Sequence, residues 1–360
     1  HGVDYTLENT KDGKLTIGVH GDTWQVTSQF STPAPAWTNQ SNTYFTFKRT
    51  TEKLPEAILV KDTFTNLTKE ILPVMLRYHA GQTGGKLPEV AQIYLAGLPV
   101  SSDISIASQA SPAHPSAFGA SKASGLALLA LDDVFRVHIG SFADMTEKTF
   151  GLTDKQLVIR PGESHTVEWA IFPVGGADPY YAFVNAARRL NDVNFMIDGS
   201  FSFMRGDPGA EGQWSDEKLA DYIKYKSLKY GCLYNCYPAG RTPGVPPLGL
   251  EWQGLDISEQ VKLVNRLRQI APTLKSLYYY HSFSDTSEEA MALFSDARLL
   301  TSAGEHADYG NAELKLYIPT ETNSFGVMTA KSLDIILDKI GADGVFWDEF
   351  EYSRYEYHYG

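Results

Sequence analysis

The spacing of apolar residues changes period once along this chain, and that change limits what it can fold into. Up to residue 174 the apolar pattern alternates as strands do. From residue 215 onward, strand-length apolar runs alternate with stretches at helical spacing. A chain of 360 residues with one such change reads as two domains of different class.

In the first half, strands are predicted over 14–20, 43–48, 58–64, 72–78, 125–131, 134–139, 156–159 and 165–172. Clusters of Asn, Asp, Gly, Pro and Ser separate them, and these residues make turns. Many short strands with almost no helical period imply an antiparallel β-sandwich over residues 1–176. The small, polar stretch 101–124 predicts a long exposed loop. Residues 178–190 predict a helix with Asp178 as N-cap and Pro179 at its first position. That helix and a Gly- and Pro-rich linker make residues 177–212 a connector.

Residues 213–360 predict helices over 215–226, 257–270, 288–294 and 324–340. Strands are predicted over 227–237, 274–283, 297–301 and 345–350. A βα repeat implies a parallel sheet with helices outside it. A closed (β/α)8 barrel needs eight strands and about 250 residues, whereas about 150 follow the connector. The expectation is the N-terminal part of a truncated barrel, with an open α/β sheet as the alternative.

Composition narrows the partners. A net charge of -12 argues against nucleic acid or an anionic membrane surface. No run of 18 apolar residues predicts a membrane span. Aromatics make up 12% of the chain, mostly core by the usual burial pattern, although exposed Tyr and Trp suit the faces of sugar rings. Cys232 and Cys236 would stand about 13 Å apart on one strand, too far for a disulfide, so buried thiols are expected. No Gly-rich phosphate loop, Ser nucleophile elbow or CxxC occurs, so no cofactor is expected. The matches to the glycosylation sequon at Asn39 and Asn66 carry little weight in a chain of this length. The chain begins at His1 rather than Met, which leaves room for a removed signal and a secreted or periplasmic location.

The chemistry concentrates in Gly341-Ala-Asp-Gly-Val-Phe-Trp-Asp-Glu-Phe-Glu-Tyr352. It reads as a helix-to-strand turn, a short apolar strand and a burst of acid. In βα folds functional groups gather at the carboxyl ends of strands. Asp348 is the candidate nucleophile or charge stabiliser and Glu349 the next candidate. Alternation puts Phe346, Asp348 and Phe350 on one face and Glu349 and Glu351 on the other. Asp343, before the strand, is read as a turn residue. A general acid would come from Glu251, Glu305 or Glu321. Candidate substrate-binding residues are Asn235, Tyr237, Trp252, Tyr280, His281, Asn323 and Glu351. His281 reads equally as a group that orients a hydroxyl or moves a proton and as a satisfied structural residue. His306 with Glu305 and Asp308 has no second His at ligand spacing, so no metal is expected.

Two stretches carry a resemblance. Residues 158–172, a strand ending in Pro161-Gly-Glu-Ser and a second carrying Glu168-Trp-Ala-Ile-Phe-Pro, resemble the last hairpin of sandwich domains that precede catalytic barrels in carbohydrate-active enzymes. Asp343-Gly-Val-Phe-Trp-Asp-Glu-Phe is similar to the strand of TIM-barrel glycoside hydrolases and their relatives that carries a catalytic or substrate-binding carboxylate at its end. The resemblance implies that role for Asp348, with Glu349 beside it, and a carbohydrate as substrate. It implies hydrolysis of an oligo- or polysaccharide by paired carboxylates. The competing expectation is a carbohydrate-binding or scaffold protein whose partial barrel does no chemistry.

Overall fold

The computed structural model describes residues 3–10, 13–82, 92–193, 195–205, 209–234, 257–285, 289–301, 303–308, 310, 312 and 314–348. The chain divides into two compact units, His1–Phe195 and Met196–Gly360.

The first unit packs two antiparallel sheets around one core. One sheet runs, in spatial order, Tyr5–Asn9, Leu15–Val19, Asp22–Ser31, Leu76–Gln82, Thr149–Asp154, Ile139–Asp144 and Ile106–Gln109, with Trp37–Thr38 paired beside Asp22–Ser31. The other runs Leu98–Pro99, Gln92–Leu95, Ser116–Ala120, Ser124–Ala130, Ser164–Gly175, Ile58–Asn66 and Phe45–Lys53. Alternating burial along Leu15–Val19 and Ile58–Asn66 sends every second side chain inward. Trp24, Phe30, Phe64, Tyr78, Phe150 and Trp169 fill the space between the sheets.

A charged group sits inside this core. Asp62 is fully buried, and Arg49 grips both its oxygens at 2.7 Å. Tyr78 Oη and Trp169 Nε1 donate to Oδ2 at 3.0 and 3.1 Å. A buried carboxylate needs such compensation.

Two expectations in this unit are corrected. Residues 134–139 are not a strand. Asp133–His138 is helical, because Asp132 sits in extended backbone and its side chain accepts from Phe135 N. The strand starts only at Ile139, and its partner Thr149–Asp154 has no expected counterpart. Residues 101–124 are not one exposed loop: they contain Ile106–Gln109 and the wholly buried Ser116–Ala120. That burial has a cause in a helix packed on the sheet. Helix Pro179–Leu190 packs Phe183 and Ala186 over Phe118, Ala127 and Phe172, covering the outer face of the second sheet. The helix is therefore part of the sandwich unit. A strand covered on both faces loses the alternation that betrays strands in sequence. Asp178 precedes this helix, with Pro179 in its first turn, but its side chain makes no capping hydrogen bond.

The second unit contains a parallel sheet of four strands in sequential order: β1 (Ser200–Arg205), β2 (Leu228–Tyr234), β3 (Lys275–His281) and β4 (Gly344–Asp348). Helices α1 (Asp216–Tyr225), α2 (Ile257–Ile270) and α3 (Ser324–Asp334) supply the crossovers. Ser215 caps α1 by accepting from Lys218 N. The α3 helix continues as a π-helical turn, Ile335–Ile340, that ends at Gly341 in the left-handed region, φ 76.

These three helices lie against one face. Leu219, Val264, Leu267 and Ile336 pack onto Met204, Leu233, Tyr278 and Tyr280. Helices on one face only distinguish this sheet from a doubly wound one, which carries helices on both faces. The described residues form an open sheet of four parallel strands, and no barrel is closed among them. The sheet's membership differs from the expected one. Residues 200–205, read as part of the connector, are the first strand. Residues 297–301 lie outside the sheet, in a segment tied by single bridges such as Arg298 to Tyr317 and Leu300 to His306.

Candidate functional site

The sheet face away from the helices is aromatic. Alternation places Phe201 and Phe203 of β1, Tyr279 of β3 and Phe346 of β4 on this face. Phe201 stacks on Phe346 at 5.2 Å between ring centres, Phe203 meets Phe346 edge-on at 5.3 Å, and Tyr279 stacks on Phe346 at 6.1 Å. Phe201 and Phe203 remain 40% and 39% exposed, which leaves apolar ring surface open to a ligand.

At the carboxyl end of the strands this wall borders a cleft of about 440 Å³ lined by Ser202, Phe203, Arg205, Glu211, Tyr279 and Asp348. A cleft of this size holds a small ligand. Asp348 ends β4. The Tyr279 hydroxyl donates to its Oδ2, and Ser282 N and Oγ donate to its backbone oxygen at 3.4 and 3.3 Å. The carboxylate is thus held from one side, while Oδ1 has no hydrogen-bond partner among the described residues. Glu211 follows β1 in a short 3-10 turn, and its Oε2 accepts from Arg205 N at 3.4 Å. Two carboxylates and one guanidinium therefore share one cleft.

His281 pairs with Asp348 across β3 and β4, so both point to the same face. Its Nδ1 accepts from Phe283 N at 3.2 Å and Ser284 N at 3.1 Å. An accepting Nδ1 puts the proton of the neutral ring on Nε2. His281 therefore shapes the turn after β3 beside Asp348.

The remaining candidates separate. Tyr280 points to the helix side, edge-on to Trp347 at 5.3 Å and with its hydroxyl toward Thr329 and Ser332. Burial pushes that hydroxyl's pKa up. Asn323 caps α3: its Oδ1 accepts from Gly326 N and Thr320 N, and its Nδ2 donates to Ile318 O. Its amide is spent on the backbone. Glu305 and Glu321 are exposed and do not line the cleft. His306 Nε2 donates to Leu316 O at 2.8 Å and Asp308 pairs with Lys315 at 3.5 Å, so Glu305, His306 and Asp308 do not converge. Cys232 is fully buried. Asn235, Tyr237, Cys236, Glu251, Trp252, Glu349 and Glu351 lie outside the described residues.

Asp343 is at the opposite end of the sheet. Its Oδ2 accepts from Ser276 N at 2.9 Å and Ser276 Oγ at 3.1 Å, and Lys275 Nζ approaches Oδ1 at 3.4 Å. These bonds fasten the entry of β4 to β3 and set the register that brings Asp348 beside His281.

Sequence reasoning missed Phe203, Arg205, Glu211 and Tyr279. A signal existed for three of them. Phe201-Ser-Phe-Met-Arg205 alternates as a strand, and Tyr279 shares a face with His281 by simple alternation. Glu211 carried none, in a Gly-rich stretch.

No protein-family model matches the chain, and no curated protein does. Among solved structures it is similar to an α-N-acetylgalactosaminidase, NagBb from Bifidobacterium bifidum, at TM-score 0.48 and 10% identity, covering 97% of this chain and 69% of that one. A polysaccharide lyase matches at TM-score 0.34 and 11% identity over 52% of this chain and 35% of that one. A galactose mutarotase-like protein from Lactobacillus casei matches at TM-score 0.29 and 11% identity over 47% of this chain and 73% of that one. Their names describe carbohydrate-active proteins. At these scores and identities they fix no family and transfer no residue.

Proposed function

We propose that the second unit carries a glycoside hydrolase site in which Asp348 is the catalytic carboxylate and Glu211 the second carboxyl group. The observation that supports this is the convergence of Asp348, Glu211 and Arg205 with the exposed ring of Phe203 in one cleft at the carboxyl end of a parallel sheet. Cleavage of a glycosidic bond needs two carboxyl groups and a surface for the sugar ring. In this reading Tyr279 holds Oδ2, and Oδ1 faces the anomeric carbon. Oδ1 either attacks that carbon or stabilises the positive charge that grows on it as the bond to the leaving oxygen breaks. Glu211, protonated, gives its proton to that oxygen. Water then adds at the anomeric carbon, a carboxylate takes its proton, and the atoms balance. Arg205 offers hydrogen-bond donors to sugar hydroxyls, and Phe203 and Phe201 offer flat apolar faces. The substrate class is an oligo- or polysaccharide.

The test is a panel of polysaccharides and aryl glycosides, assayed with the protein and with Glu211→Gln. Cleavage by the protein, with a Glu211→Gln deficit that is large for sugar leaving groups and small for activated aryl ones, supports the acid role. Equal deficits for both leaving groups contradict it. If no substrate is cleaved yet an oligosaccharide binds, the non-catalytic binding reading replaces this one.

A further inference from the structure

The sandwich unit has its own cleft, of about 570 Å³, on the outward face of its first sheet. The sequence explains why it is polar. Along Leu76–Gln82, Arg77 and His79 alternate with the buried Leu76, Tyr78 and Ala80 and so stand on the outer face. Thr153 pairs with Arg77, and Gly151 with His79, on the next strand. Gly140 pairs with Thr153 and Phe142 with Gly151 on the strand after that. Gly140 and Gly151 add no side chains to this face. A Cβ at Gly151 would sit 1.8 Å from Tyr78 O, so the site admits nothing larger. A depression results, walled by Phe142, Arg77 and His79 on the sheet and by Ser108, Lys155 and Gln156 from its edges.

The charges here run against the rest of the molecule. The chain has a net charge of -12, yet Arg77 and Lys155 line this cleft with no carboxylate partner among the described residues. The Arg77 guanidinium is held over the Trp37 ring at 4.0 Å, which fixes its plane and leaves its N–H groups for a ligand. The nearby carboxylate, Asp154, is buried and turned inward: it pairs with His138 Nδ1 at 3.0 Å and accepts from Gln156 N and Leu157 N. It does not neutralise Arg77 or Lys155. His79 Nε2 is buried and has no hydrogen-bond partner. Phe142 lies 4.7 Å from the His79 ring and gives the cleft an apolar side.

We propose that this cleft binds an acidic sugar, a uronic acid unit of a saccharide. Arg77 and Lys155 take its carboxylate, Arg77 by the two-pronged geometry that suits that group. Ser108 and Gln156 meet ring hydroxyls, and Phe142 lines the apolar face of the ring. The site is independent of Asp348, which belongs to the other unit.

Isothermal titration of the full chain with D-galacturonate and D-glucuronate tests this, with D-galactose, D-glucose and inorganic sulfate as controls. A uronate is expected to bind where the neutral hexoses do not, and to bind less tightly as salt rises. Arg77→Gln and Lys155→Gln are each expected to weaken it about tenfold or more, with thermal midpoints retained. Lys155 is exposed, so its replacement keeps the test valid even if Arg77→Gln fails to fold. Asp348→Asn is expected to bind the uronate unchanged, which separates this site from the hydrolytic one. The proposal is overturned if the uronates do not bind, if neutral hexoses bind as well, if sulfate alone binds, or if Asp348→Asn removes the binding.

Discussion

The hydroxyl of Tyr279 on β3 donates to Oδ2 of Asp348 on β4, and the two residues reach each other because Asp343, at the other end of the same strands, fixes the register. One carboxylate at the start of β4 is structural, and the other, at its end, is offered to a cleft.

Tyr279→Phe removes the hydroxyl and keeps the ring that stacks on Phe346. A hydrogen bond to a charged group is worth about 1.5–3 kcal/mol, so kcat is expected to fall about 10- to 100-fold with KM and thermal midpoint little changed. Steady-state kinetics beside a melting curve measure this. An unchanged kcat would mean that the bond does not position the reacting group.

Phe203→Ala takes away an exposed ring face beside Asp348. Aromatic contacts of this kind contribute about 0.5–1.5 kcal/mol, so KM for an oligosaccharide is expected to rise about 2- to 10-fold while kcat stays within a factor of about two. A rise in KM with full kcat is the signature of binding that is equal in ground and transition states.

Asp343 gives a pH-dependent prediction. Burial raises its pKa, but the Ser276 N–H, the Ser276 hydroxyl and Lys275 outweigh this and hold it below the usual carboxylate range. A carboxylate whose folded pKa is depressed adds stability above its unfolded pKa of about 3.9, and that stability is lost as pH falls through the folded value. Asp343→Asn is therefore expected to lower the urea midpoint at pH 7, with the difference from the unaltered protein shrinking below about pH 4. A difference that is constant from pH 7 to pH 3 would contradict the assignment.

Asp62 tests the sandwich core. Asp62→Ala leaves the largely enclosed Arg49 without its carboxylate and strips Tyr78 and Trp169 of their acceptor. Breaking a buried pair in this way costs about 3–5 kcal/mol. Denaturant unfolding should show that loss; a change under about 1 kcal/mol would mean that water replaces the carboxylate.

Legibility from sequence followed exposure. Helix Ile257–Ile270 has the bounds its spacing predicts, because one face is buried and the other wet. Ser116–Ala120 was hidden because sheet and helix bury both its faces, leaving small residues with no period. Helix Asp133–His138 was hidden by β-branched and aromatic residues, whose propensity the Asp132 cap overrides. In the candidate site, Asp348 was readable from its place at the end of an apolar strand. Tyr279 was masked by its neighbours Tyr278 and Tyr280, which have the same chemistry and point the other way. Arg205 and Glu211 were lost to a Gly- and Pro-rich stretch that looks like a linker, although both residues line the cleft.

The most direct measurement is kcat/KM of Asp348→Asn relative to the unaltered protein on a saccharide that the latter cleaves, with folding confirmed by an unchanged thermal midpoint. A loss of about 10³-fold or more, equivalent to more than about 4 kcal/mol of transition-state stabilisation, is the predicted result. A folded Asp348→Asn variant that cleaves equally well would contradict the account and place the catalytic carboxylate elsewhere.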